Sequence, residues 1–185
     1  MGITYFLADS GFYRAFEAMP PRAIFVITPP VFAIVVLLLI QRTRGYMMRI
    51  PITILTYLHI IRVPIEMVLW WLALRGMVPF LVTFEGINYD ILSGVSAPFI
   101  AIFFVGIKRQ NRIGAIIWNL AALGLLINVV FHALLSAPTP FQLFSFDQPM
   151  LAVFYTPFIW LPAVVVPAVL WSHLVGLIQL IGRES

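Results

Sequence analysis

Three ionisable side chains, His59, Arg62 and Glu66, stand inside one otherwise apolar stretch that runs from Ile50 to Leu74 between Arg49 and Arg75. Spaced i, i+3 and i+7, they fall within about 60° of one another on a helix that turns 100° per residue, a narrow stripe that Trp70 extends. A charge at the centre of a bilayer costs about 2.5–3.5 kcal/mol on insertion scales, so the stripe must face protein or water. Pro64 lacks an N–H and frees the carbonyl of Ile60, adding an acceptor that needs a partner. The chemistry open to these groups is binding and proton exchange. Arg62 can hold an anion or the Glu66 carboxylate, Glu66 can exchange a proton, and His59 can relay one or hydrogen-bond. A structural reading stands beside this one: Arg62 and Glu66, four apart, neutralise each other and clasp two helices. Contact with a partner subunit is a third.

The elements that must position the stripe follow from composition. The 185 residues are 62% hydrophobic and 10% charged, with a mean hydropathy of +1.04, whereas a soluble domain is about a quarter charged. Such a chain cannot build a water-soluble surface, and the expected fold is an all-α polytopic transmembrane helix bundle. A span needs roughly 20 apolar residues. Five stretches approach that: 23–40, 50–74, 91–107, 113–135 and 151–181. Pro29 and Pro30 should kink the first. The third opens with Ser93, Gly94, Ser96 and Ala97, small residues that allow close helix approach. The fifth exceeds the bilayer thickness and carries Pro157, Pro162 and Pro167, so it should be bent or interfacial at its start. Residues 1–22 read as an interfacial N-terminal segment, leaving 23–185 as a single transmembrane domain.

Lys and Arg are retained on the cytoplasmic side. Arg42, Arg44, Arg49, Lys108, Arg109, Arg112 and Arg183 share one side of a five-span chain, and only Arg14, Arg22 and Arg75 the other. Seven against three places the N-terminus outside and the C-terminus in the cytoplasm. The basic residues flank apolar spans and form no continuous patch, so the net charge of +4 marks topology, with the lipid bilayer as partner and no nucleic acid.

Depth then selects the residues that can join the stripe. The second span runs outward, putting His59 roughly 13 Å and Glu66 roughly 24 Å from its inner end. Asn128 and His132, four apart on one face of the fourth span, lie at or beyond the level of Glu66. The loop acids Glu85, Asp90 and Asp147 emerge on that side, so an outer polar cluster is expected, although Asp90 is better placed to cap the following helix. The fifth span returns inward and brings His173 to the depth of His59, where two histidines can face each other; a satisfied helix contact fits each histidine equally well. The loop 136–149, rich in Pro and Phe, either covers the bundle mouth or rests in the headgroups. Trp70, Trp71, Trp160 and Trp171 fit an aromatic belt.

Met19-Pro20-Pro21-Arg22, the stripe His59 to Glu66, Thr83-Phe84-Glu85-Gly86 with Asp90-Ile91-Leu92-Ser93-Gly94, and Phe146-Asp147-Gln148-Pro149, with Ile117-Trp118-Asn119 and Trp171-Ser172-His173-Leu174 falling in the same stretch, together resemble a family of uncharacterised bacterial multi-helix integral membrane proteins with no assigned activity. The resemblance runs from about Met19 to the C-terminus. It implies a multi-pass protein of the bacterial inner membrane, and it implies sequence upstream of the Pro-Pro-Arg segment.

The chain has no cysteine, hence no disulfide, thiolate metal site or cysteine nucleophile, and it carries no phosphate loop, nucleophile elbow or His-Glu-x-x-His zinc signature. Three function classes remain. The first is small-molecule or ion binding, transporter-like or sensory, in an intramembrane pocket drawn from His59, Arg62, Glu66, Asn128, His132 and His173 with an outer rim of Glu85, Asp90 and Asp147. The second is a membrane-embedded enzyme or redox subunit, with His59 and His173 on a haem or Glu66, His132 and the outer acids on a metal. The third is a non-catalytic subunit of a homo-oligomer or larger membrane complex.

Overall fold

A computed structural model describes residues 2–106 and 111–182, and among them every regular element is helical. The elements are α1 (Gly2–Asp9), α2 (Ile24–Leu39), α3 (Gln41–Met47), α4 (Ile52–Leu58), α5 (Arg62–Leu74), α6 (Ile91–Phe103), α7 (Arg112–Leu135) and α8 (Val166–Ile181). Three continuous helices are long and apolar enough to cross a membrane: Ile52–Leu74, Arg112–Leu135 and Leu161–Ile181. Ile107, Lys108 and Arg109, at the end of the third predicted span and in the loop behind it, lie outside the described residues, as does Arg183.

Proline positions explain the irregularities. α4 and α5 form one rod joined by a 3₁₀ turn at His59–Ile61. Pro64 cannot donate to the Ile60 carbonyl, and the backbone tightens where that bond is missing. The last rod opens with a π-helical turn, Leu161–Val165, that places Pro162 in its first turn. A helix accepts proline there, and residues 151–160 stand before the rod with a 3₁₀ turn at Ala152–Phe154. α7 begins on Asn111, whose side chain accepts the Gly114 N–H at 2.9 Å.

Two predicted spans differ from expectation. The third ends at Phe103, and its 13 residues cover about 20 Å, short of the roughly 30 Å hydrocarbon core. The helix stops in a tight turn where the Val105 N–H donates to Ile100 O at 3.2 Å and where a Cβ on Gly106 would lie 2.6 Å from Ile102 O. The first keeps Pro29 and Pro30 inside α2, and its sharp bend falls at Ile40 instead. Ile40 is extended, with φ −75° and ψ 114°, and α3 leaves at 97°. The Thr43 hydroxyl holds the corner by donating to the carbonyls of Leu37 and Ile40.

The N-terminal segment is tied down by two residues. Ala8 and Tyr13 are buried with Val26, Ala137, Phe154 and Ile159, while Ile3 and Phe6 stay exposed. The 136–149 loop is likewise anchored. The N–H groups of Leu143 and Phe144 donate to Leu135 O at 2.8 and 3.1 Å, and the Gln148 amide donates to Ala73 O and Val78 O at 2.8 and 2.5 Å. Its aromatic tips Phe141 and Phe146 remain exposed.

Candidate functional site

The stripe on α4 and α5 points into the bundle: His59, Arg62 and Glu66 are each no more than 2% exposed. Arg62 is the hub. Its Nη1 forms a buried ion pair with Asp90 and donates to Ala122 O at 3.1 Å, and its Nη2 donates to His173 Nε2 at 2.5 Å. One guanidinium therefore ties α5 to the head of α6, the middle of α7 and α8, a task for which its planar fork of donors is suited. With Nε2 accepting, the other ring nitrogen of His173 carries the proton, donated to Asn119 Oδ1 at 2.6 Å. The His59 ring packs on His173, centroids 4.1 Å apart, and Trp118 meets it edge-on at 5.4 Å. The Ser172 hydroxyl gives its proton to Leu55 O at 2.7 Å and can accept from His59 Nε2 at 3.4 Å.

Glycines let these groups meet. A Cβ on Gly94 of α6 would come within 2.8 Å of a Val63 methyl and 3.3 Å of Arg62 Cβ, so the small-residue stripe does bring α6 close to α5. A Cβ on Gly176 would lie 3.0 Å from the Asn119 amide nitrogen.

Several expectations are corrected. Arg62 takes Asp90, not Glu66, as its ion partner; Glu66 Oε1 accepts from the Asn88 amide at 2.5 Å, and that amide also donates to Val82 O at 3.0 Å. Asp90 occupies the N-cap position of α6 yet makes no cap bond, because its carboxylate is spent on Arg62. Asn128 and His132 stand apart from the stripe: the Asn128 amide donates to Ile87 O at 3.0 Å, and the half-buried His132 ring packs on Phe144 with its Nδ1 2.9 Å from Asn128 O. Glu85 and Asp147 are exposed while Asp90 is buried, so the acids form no common rim.

The stacked imidazoles leave no room for a macrocycle between them, and among the described residues no three His, Asp or Glu converge as a metal site, so the haem and metal alternatives do not fit this geometry. Asn88, Asn119 and Ser172 complete the network and were not picked out as site residues from sequence. A lone amide inside a long apolar helix is the signal that marks Asn119, since it too must avoid lipid.

Beside this network lies a cavity of about 120 Å³ between α2, α5, α7 and the last rod, with walls that include Val26, Leu69, Leu126, Val129, Met150 and Val169. Among the described residues, Arg62, Glu66 and Asp90 are the charged ones that line it. His59 and His173 lie behind them and do not line it. Glu66 Oε2 is buried and has no hydrogen-bond partner, as do Arg62 Nε and Trp70 Nε1. The space is of the order of an apolar cavity that admits benzene, with a polar end added. Such an arrangement can hold a small molecule by its apolar body and orient it through a charged end. No family model, curated protein or solved structure matches the chain.

Proposed function

We propose that this chain is a multi-pass protein of the bacterial inner membrane that binds a small molecule in the cavity ending on Glu66, in a transporter-like or sensory role. The observation that carries the reading is Glu66, which lines an apolar chamber and keeps one buried carboxyl oxygen, Oε2, without a hydrogen-bond partner. A buried polar atom without a partner costs about 1–3 kcal/mol, and a chamber beside it offers the place from which a partner can come. A protein that needed only a helix clasp would satisfy it with one more side chain.

Benzyl alcohol followed by ligand-observed NMR in detergent micelles tests this. The wild type should show saturable binding, and Ala133→Phe, which fills the chamber from α7, should weaken it at least about tenfold. Identical, unsaturable partitioning in both proteins would end the proposal.

In the same reading, α2, α4–α5, α6, α7 and the last rod each traverse the bilayer, α6 with local thinning or by lying within the bundle. The basic loops keep the N-terminus outside and the C-terminus in the cytoplasm. Reporter fusions should therefore read inside at Gly45 and Asn111 and outside at Asn88 and Gln142. An external signal at Gly45 would overturn the orientation.

A further inference from the structure

We infer that the ligand of this cavity is a hydrophobic amine, bound with its ammonium group on Glu66 Oε2 and its apolar body in the chamber; the inference rests on the binding function proposed above.

The acid–base groups select the head group. Among the described residues, Arg62, Asp90 and Glu66 are the ionisable ones that line the cavity. Arg62 and Asp90 cancel in their ion pair, and both terminal nitrogens of Arg62 are occupied by Asp90, Ala122 O and His173. The remaining acid is Glu66, whose neighbour Asn88 is neutral and reaches only Oε1. An anionic ligand would meet this acid and an arginine whose fork is already filled. A hydroxyl can give Oε2 one neutral hydrogen bond. An ammonium gives the hydrogen bond and an ion pair together, any proton on Glu66 being released to solvent as it binds.

The walls select the rest of the molecule. A bare metal ion wants four to eight oxygen or nitrogen ligands, and the cavity offers two carboxyl groups, Glu66 and the Arg62-paired Asp90, among Val, Leu, Ile and Met. An organic ammonium needs few contacts at its head and gains from apolar burial along its body.

Benzylamine, benzyl alcohol and benzoate share a body and differ in the head, so they separate the alternatives. Dissociation constants are measured at neutral pH by ligand-observed NMR on the full chain in a neutral detergent, with Ala133→Phe supplying the micelle background. The wild type should hold benzylamine at least about tenfold tighter than benzyl alcohol, and benzoate weakest. Glu66→Gln should erase the preference for the amine, and a cooperative unfolding transition in SDS shows that the variant is folded. Equal binding of amine and alcohol, tightest binding of benzoate, or an amine preference that survives in Glu66→Gln would each overturn the inference and leave the ligand cavity standing. Failure of all three to bind saturably would remove the cavity's binding function itself.

Discussion

Arg62→Ala is expected to lower the stability of the folded chain by about 3–5 kcal/mol, the range for removing one partner of a buried ion pair. The substitution leaves the buried Asp90 carboxylate without its cation and His173 Nε2 without its donor. It also opens the junction of four elements, because α5, the head of α6, α7 and α8 meet on this guanidinium. Arg62→Lys should recover only part of the loss, since a single ammonium cannot reproduce the planar fork that reaches both α6 and α8. Asp90→Asn should cost less, because its amide oxygen still accepts from Nη1. Glu66→Gln should cost least, for the Asn88 contact survives through the new carbonyl. Equilibrium unfolding in mixed micelles with increasing SDS gives this order. A loss below about 1 kcal/mol for Arg62→Ala would mean that the network does not hold the bundle together.

The second large effect is expected at Gly94. Its missing side chain lets α6 rest on the Arg62–Val63 turn of α5, and a Cβ there would stand 2.8 Å from a Val63 methyl and 3.2 Å from the Val63 backbone nitrogen. Val63 cannot rotate away easily, since a β-branched side chain in a helix is held in one rotamer. Overpacking typically costs about 1–3 kcal/mol, and Gly94→Leu should reach the upper end or pass it, because the helices themselves must part. Parting them carries Asp90 away from Arg62, so the variant should lose part of the Arg62 contribution as well. A double-mutant cycle of Gly94→Leu with Asp90→Asn reads this coupling: the two losses should sum to more than the loss of the double variant. Strict additivity would mean that the close approach of α6 has no part in placing Asp90.

These two positions also mark how far the sequence can be read. The inward stripe of His59, Arg62 and Glu66 followed from helical spacing and the cost of charge in lipid, and the small residues near Gly94 announced a close helix contact. The pairing did not follow. Spacing along α5 favoured Glu66 as the partner of Arg62, yet Asp90 wins because α6 is pressed against α5 and delivers its first residue to the guanidinium. The preference of Asp for N-caps pointed the other way, and an ion pair in the interior outweighed a cap bond.

Helix rotation is what hydropathy leaves out. Asn128 and Asn119 look alike in an apolar run, but Asn119 faces His173 while Asn128 holds the segment between α5 and α6 at Ile87. The cavity was hidden for a related reason: its walls use the same Val, Leu and Ile that face lipid elsewhere, so nothing in residue type separates a chamber from a membrane surface. The end of the third apolar stretch was not legible where composition ran on past a structural stop. The apolar character continues beyond Phe103, but the turn at Val105 and Gly106 ends the helix.

The central claim is that an apolar molecule with a polar end resides against Glu66 inside the bundle. Crystals soaked with 4-bromobenzylamine and measured at the bromine absorption edge test it most directly. The expected result is one dominant anomalous peak inside the chamber bounded by Leu126, Val129 and Met150, with the amine nitrogen within hydrogen-bond distance of Glu66 Oε2. A chamber free of bromine, with peaks confined to the lipid-facing surface, would contradict the account.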